Sequence, residues 1–296
     1  MILVADSGST KTAWTLLKTN DEIHTFYGTG INPYMLSQED IENLLKKELL
    51  PQLEKWDADV SHVYFYGAGC RGGAESDSVK NAINTICGAA EVCVYSDLLG
   101  AAHALFQKSK GIACILGTGS ASCLYDGEKI IKNTPSLGYV LGDEGSGAVI
   151  GKTLVNELFK GNLPSEIHQT FLKECPDGVS DVLRRVYKEP FPNRILASLV
   201  SKVIVPHRQT PAMQNLLRQE FKRFFERNIS HYSDISIPIA FVGGVACGFE
   251  KELREVAAEC GYKVSVVLKE PMEGLVDMYK SRRLISLQIL FDSSTI

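Results

Sequence analysis

Asp6-Ser7-Gly8-Ser9-Thr10-Lys11-Thr12 follows directly on the apolar run Ile2-Leu3-Val4-Ala5, and a second strand-like run, Ala13–Leu17, comes after it. A strand that ends in an acid, then small hydroxyl and glycine residues, then a lysine, suits a metal-bound phosphate. Gly8 lets the backbone approach a ligand that a β-carbon would obstruct. Ser7, Ser9, Thr10 and Thr12 supply hydroxyl and N–H donors, and Lys11 adds a point charge for phosphate oxygens. Asp6 suits Mg²⁺, directly or through water, because that ion takes few carboxylates and keeps most of its waters. The same residues also read as a plain polar hairpin turn, and by themselves they leave both readings open.

A second loop favours the ligand. Gly117-Thr118-Gly119-Ser120 also interrupts two strand-like runs, Gly111–Leu116 and Ala121–Tyr125. Two glycines around a threonine exceed what a hairpin needs, and they again present bare N–H groups. Paired hairpins of this kind, far apart in the chain, suggest two lobes closing on one polyphosphate.

Length and composition bound the rest. A chain of 296 residues is two domains or one large one. Its 45% hydrophobic and 22% charged residues are ordinary for a globular enzyme. A net charge of −4 leaves no electrostatic footprint for nucleic acid. Apolar runs fall short of the about 20 residues a membrane helix needs, so no membrane partner is expected. The N-terminal strand lacks the pattern of a signal peptide, which makes the cytoplasm the expectation. The eight cysteines never form a CxxC pair, and several lie in strand-like runs, so they read as reduced structural thiols.

Along the chain, three strands (Ile2–Ala5, Ala13–Leu17, Ile23–Tyr27) precede a helix from about Glu39 to Leu50. Ser37 with Asp40 resembles a capping box for that helix, and Pro51 is expected to end it. Strands Val60–Tyr66 and Glu91–Tyr95 then alternate with helices Asp77–Ile86 and Leu98–Gln107. The pattern restarts near Ser109–Gly111 with hairpins, passes through a long helical stretch from about Ser146 to Asn228, and returns to Ile237–Val242, a helix near Glu250–Cys260 and Lys263–Leu268. A final helix is expected over Glu273–Leu290. The reading is α/β, two lobes with a helical insertion in the second.

Asp97 follows the Glu91–Tyr95 strand and opens a helix. Ligands of open α/β sheets gather beyond the carboxyl ends of strands, where a carboxylate can accept a hydroxyl proton. The rival reading makes Asp97 the helix N-cap. Asp143 and Glu144, in Gly142-Asp143-Glu144-Gly145-Ser146-Gly147, suit vicinal sugar hydroxyls or a solvated loop. Asn32, before Pro33, addresses a substrate hydroxyl or serves a turn. Gly243-Gly244, ending a strand, lets a flat base or sugar lie on the backbone or packs strand against helix. Gly67-Ala68-Gly69-Cys70-Arg71-Gly72 matches a dinucleotide fingerprint, but Asp97 lies later than the usual ~20 residues and the strand is not the first of its sheet. Gly151-Lys152-Thr153 mimics part of a P-loop, yet Ser146 stands where that motif needs glycine, and the triplet falls within a helix.

In order, DSGSTKT (6–12), SDLLGA (96–101), GTGS (117–120), GDEGS (142–146) and FVGGV (241–245) resemble the N-acetylglucosamine kinase family. That family lies within the BadF/BadG/BcrA/BcrD-type ATPases of the sugar kinase, Hsp70 and actin superfamily. The resemblance implies two ribonuclease-H-like lobes with ATP and sugar in a cleft between them. Residues 1–109 would form the first lobe, completed by a C-terminal helix over about 273–296, and 110–272 the second. It assigns Asp6 to Mg²⁺ and phosphate positioning, Gly8, Ser9, Thr10 and Lys11 to one phosphate loop, and Gly117, Thr118, Gly119 and Ser120 to the other. Gly243 and Gly244 match the adenosine contact. Asn32, Asp97, Asp143 and its neighbour Glu144 fall to the sugar, with Asp97 also the general base for transfer to the 6-hydroxyl. A homodimer is expected on the same ground.

Two departures bear on the substrate. Family members often have asparagine after GTGS, where Ala121 stands, and a tryptophan-containing segment before GDEGS, where Pro135-Ser136-Leu137-Gly138 stands. N-acetylglucosamine leads, with glucosamine and N-acetylmuramic acid as alternatives. Outside the kinases, the rivals are a non-catalytic ATP or sugar sensor and a dinucleotide oxidoreductase built on Gly67–Gly72.

Overall fold

The computed structural model describes residues 1–281 except Ser9, Asp21, Ala89, Ala90, Ser233 and Ile235. Ser9, expected in a phosphate loop, and the part of the expected last helix beyond residue 281 therefore lie outside the described residues. The chain divides into two compact units, Met1–Lys108 with Pro271–Ile296, and Ser109–Glu270.

The first unit is built on strands β1 (Ile2–Ser7), β2 (Lys11–Leu17), β3 (Ile23–Thr29), β4 (His62–Gly67) and β5 (Glu91–Ser96), in the order β3-β2-β1-β4-β5. The first three pair antiparallel through hairpins, while β4 and β5 run parallel to β1. Parallel neighbours need crossovers, here the helices Gln38–Glu48 and Leu50–Lys55 before β4 and Gly73–Cys87 before β5. β1 reads as an unbroken apolar run because helices cover both faces of the sheet. Leu3 and Ala5 pack with Trp14, Ile41, Leu45, Val79 and Ile83 on one side. Val4 packs with Ala13, Leu17, Tyr66 and Leu275 on the other.

Ser37 caps its helix as expected: its Oγ accepts from the Asp40 N–H (3.2 Å) and its own N–H donates to the Asp40 carboxylate (3.0 Å). Pro51 does not stop helical structure. It sits in the first turn of the second helix, where its missing N–H has no intrahelical partner to lose. The third helix begins at Gly73, earlier than the Asp77 expected from its apolar pattern, because its first turn is polar.

The second unit repeats the plan: β6 (Gly111–Leu116), β7 (Ser120–Tyr125), β8 (Ile130–Thr134), β9 (Ile239–Val242) and β10 (Val264–Leu268), ordered β10-β9-β6-β7-β8. Again three strands are antiparallel and two run parallel to the first. The helical insertion occupies the crossover from β8 to β9. It includes two π-helical turns, Val200–Ile204 and Phe225–Ile229, and buries Phe171, Phe221, Phe224 and Phe225 with Phe241 of β9. All eight cysteines are free thiols, four of them buried.

Candidate functional site

Within the first unit, register brings the carboxyl ends of the parallel strands to one edge. Asp6 pairs with Tyr66, Ser7 with Gly67, and Gly67 with Ser96. Asp97 is the next residue after Ser96 and the first of the helix Asp97–Phe106. Ser96, not Asp97, caps that helix, its Oγ accepting from the Leu99 N–H at 3.2 Å. The capping role weighed for Asp97 is thus taken by its neighbour. The Asp97 carboxylate takes the adjacent Leu98 N–H on Oδ1 (2.8 Å). Burial pushes its pKa up, opposed by the Leu98 hydrogen bond and the positive charge of Arg71. A carboxylate anchored on one oxygen, with raised basicity, is equipped to take a hydroxyl proton.

The first loop corrects one expectation. Ser7 and Thr12, read as donors for a ligand, are both fully buried. The Ile31 N–H donates to Ser7 Oγ (2.9 Å), the two hydroxyls lie 2.7 Å apart, and Thr12 donates to the Thr29 carbonyl (2.9 Å). Thr12 gives its proton to Thr29, and the single Ser7 proton is shared between Thr12 Oγ1 and the Ile31 carbonyl (3.2 Å). This chain ties the first hairpin to the segment that carries Asn32. Gly8 and Thr10 are exposed beyond it, the Gly8 N–H closing the turn on the Lys11 carbonyl (3.0 Å). Lys11 is exposed with its ammonium 4.9 Å over the Tyr27 ring. Asp6 is partly buried at the end of β1.

Asn32 serves the turn, as one of its two readings expected. Its Oδ1 accepts from the Tyr34 N–H (3.0 Å), which is turn chemistry. A β-carbon on Gly69 would stand 2.7 Å from that same oxygen, so the loop after β4 meets the Asn32 turn.

Within the second unit, three glycine segments converge at the ends of β6 and β9. The Gly147 and Ala148 N–H groups donate to the Gly117 and Thr118 carbonyls (2.8 and 3.0 Å). Gly243, at φ +132°, lies so close to the Leu116 carbonyl that any side chain would overlap it. Gly117 and Gly244 have no atom within 4 Å of where a β-carbon would stand. This bare opening fits a phosphate chain. The Gly117 N–H itself is spent on Gly119 O (3.0 Å), which leaves the Thr118 and Gly119 amides as the loop's donors.

Asp143 adopts φ +57° and places its carboxylate against this loop. A β-carbon on Gly119 would come within 2.9 Å of Asp143 Oδ2, the Ser136 hydroxyl donates to Oδ1 at 3.0 Å, and the Ser120 N–H also supports the carboxylate. Burial raises its pKa, chiefly against the Ser136 hydrogen bond. Glu144 is differently placed: Arg227 holds one carboxylate oxygen (3.1 Å) and Asn228 approaches the other (3.3 Å). That pairing fastens the loop to the helical insertion, so a sugar would have to compete for Glu144.

Both misleading motifs resolve. Gly151-Lys152-Thr153 lies inside the helix Gly147–Phe159, with Gly151 giving the Leu196 backbone room to pack, Lys152 donating to the Tyr139 carbonyl and Thr153 to Glu220. The Gly67–Gly72 loop follows β4, which lies between β1 and β5 and is, as anticipated, not the first strand of its sheet. Among the described residues no group of three or more His, Cys, Asp or Glu could hold a metal, and no helix is long and apolar enough to cross a membrane. Asp6, partly buried at the end of β1, would suit Mg²⁺ held mainly by water and phosphate rather than by a protein cage. Sequence reasoning missed the support of Ser136 for Asp143 and the nearness of Arg71 to Asp97. Neither carries a local signal, although Ser96 three residues before Leu99 did offer a cap.

No protein-family model and no curated protein matches the chain. Solved structures do. A candidate N-acetylglucosamine kinase from Porphyromonas gingivalis is 40% identical, with a TM-score of 0.91 over 96% of this chain and 100% of that one. A candidate N-acetylglucosamine kinase from Chromobacterium violaceum (18% identity, TM-score 0.72, 94% and 98% coverage) shares the fold. So does an ROK hexokinase from Thermus thermophilus (12%, 0.54, 90% and 92%). The doubled five-stranded sheets are those of actin-like ATPases, and with 40% identity over nearly its whole length the chain belongs to the N-acetylglucosamine kinase family.

Proposed function

We propose that this chain, an ATP-dependent sugar kinase by its family, transfers the γ-phosphoryl group of ATP to the 6-hydroxyl of an amino sugar, N-acetylglucosamine foremost. The observation that carries the reading is Asp97. It opens a helix at the carboxyl end of a parallel strand, is relieved of capping by Ser96, and is made more basic by burial. The 40% identity to a candidate N-acetylglucosamine kinase supports the choice of sugar.

In this reading Asp97 orients the sugar hydroxyl and takes its proton as phosphoryl transfer begins. Asn32 and Asp143 bind the sugar's other hydroxyls, and Glu144 ties its loop to the helical insertion through Arg227 and Asn228 unless a sugar displaces that pairing. The Thr118 and Gly119 amides, with Ser9, Thr10, Lys11 and Ser120, receive phosphate oxygens, Gly8 keeps the first loop bare beside them, and Gly243-Gly244 lets adenosine lie on bare backbone. Mg²⁺, oriented by Asp6, would neutralise charge on the β- and γ-phosphates. Such catalysis is mainly positioning and electrostatic stabilisation. Family resemblance also supports a homodimer.

The test is coupled ADP release with Mg-ATP across N-acetylglucosamine, glucosamine, N-acetylmuramic acid, glucose and a no-sugar blank. Release that depends on an amino sugar, and that Asp97→Asn abolishes while ATP binding persists, supports the kinase. ATP binding without sugar-dependent release would leave a sensor in its place.

A further inference from the structure

The helix Val179–Lys188, in the insertion of the second unit, carries two apolar faces where a surface helix needs one. Val182 and Val186, four residues apart, pack into the core of that unit and anchor the helix. Val179, Leu183 and Tyr187, also four residues apart, stand outside the core and are 47%, 51% and 79% exposed. Leu172, from the preceding helix Ser165–Glu174, is exposed too and extends this stripe. Its Cδ2 lies 3.7 Å from where a β-carbon on Gly178, next to Val179, would stand. Large apolar side chains exposed singly need no explanation, but four joined in one stripe on an anchored helix mark an interaction surface. Charge frames the stripe at its two ends. Arg184 is spent on Asp181 (2.9 Å) and Glu189. Asp177, just before the helix, and Lys188, at its end, are exposed with no ion-pair partner among the described residues.

We propose that a second copy of the chain docks on this stripe, the two Val179–Lys188 helices packing antiparallel about a two-fold axis at Leu183. This deepens the homodimer reading, on which it rests, by naming the face. The stripe is self-complementary, as a two-fold interface requires. Val179 and Tyr187 lie four residues to either side of Leu183. An axis there sets each Val179 against the second copy's Tyr187, small against large, and Leu183 against its own equivalent. The same arrangement brings Asp177 of each copy to the helix end that carries the other's Lys188, and it opposes the two helix dipoles. A parallel pairing would put Tyr187 on Tyr187, Asp177 beside Asp177 and Lys188 beside Lys188. Charge and size therefore both select the antiparallel form. An apolar centre with an aromatic residue, and charge confined to the rim, is the make-up of a protein–protein interface.

The experiment is sedimentation velocity on the full chain, from about 1 to about 100 µM, so that micromolar association is read directly. It compares wild type with Leu183→Glu, Asp177→Lys, Lys188→Asp and the variant carrying both charge changes. Wild type is expected to sediment as a dimer. Leu183→Glu, which sets two carboxylates across the axis, should raise the dimer dissociation constant about 100-fold while the far-ultraviolet circular dichroism stays the same. Each single charge change should raise it about fivefold. The variant with both should recover wild-type affinity, because each pair re-forms with its signs exchanged. Wild type that stays monomeric at about 100 µM overturns this face and the homodimer together. A dimer that survives Leu183→Glu, whether or not Leu141→Glu at another exposed leucine splits it, keeps the homodimer and overturns this face. Failure of the combined charge change to recover what the single ones lose overturns the antiparallel arrangement.

Discussion

Replacing Ser7 by alanine separates a structural hydroxyl from a ligand donor. Ser7 and Ile31 are both essentially inaccessible, and Ser7 Oγ is the acceptor for the Ile31 N–H. Alanine leaves that buried donor unpaired, at about 1–3 kcal/mol, and removes the bond to Thr12, worth about 1 kcal/mol. The cavity is a single oxygen atom, so the total is about 2–4 kcal/mol, lowering the melting temperature of the first unit by on the order of 10 °C. Thr12→Val keeps the shape and strands the Thr29 carbonyl. The two changes combined should cost less than their sum, with a coupling of about 1 kcal/mol. The assay is thermal and urea unfolding of the four variants in a double-mutant cycle, with KM for ATP and for sugar. Because Asn32 follows Ile31, the sugar KM should rise in Ser7→Ala while the ATP KM changes little. A Ser7→Ala protein with unaltered melting and a much weakened ATP KM would refute the reasoning and return these hydroxyls to the phosphate.

Gly117→Ala fills space that no atom occupies within 4 Å, so melting should stay put while the ATP KM rises severalfold; an unchanged ATP KM would remove this loop from phosphate binding. Asp97→Asn should stabilise the protein at pH 7 while stopping transfer. The folded-state pKa of Asp97 is raised, so its contribution falls as pH climbs from the unfolded value through the folded one, and a neutral amide avoids that loss. Melting curves at pH 4 and pH 7 check this, the gain appearing only at the higher pH. Glu252 is buried and held by Arg208 Nε (2.7 Å) and Gln214 (3.0 Å). Glu252→Gln should destabilise the second unit by about 2 kcal/mol, measured by urea unfolding, and leave the sugar KM unchanged.

Locally encoded features were legible in the chain. The Ser37–Asp40 box, the hairpins and the glycine loops each depend on residues a few positions apart. Their periodicity and φ demands are therefore visible without a fold. Asp97's place after a strand and before a helix was readable for the same reason. Its freedom from capping was settled only by the side-chain orientation of Ser96, one residue away.

What sequence alone determined, then, is the order of elements and which loops are built of glycine and small hydroxyl residues. Tertiary structure decided which polar groups remain available. Ser7 and Thr12 look like Thr10 in sequence, yet Ile31, twenty-four positions from Ser7, claims Ser7 and Thr29 claims Thr12. Asp143 and Glu144 are adjacent, but Ser136 aligns one while Arg227 and Asn228 hold the other. The physical reason is that a hydrogen bond or a buried charge needs a partner, and these partners arrive through folding from distant parts of the chain.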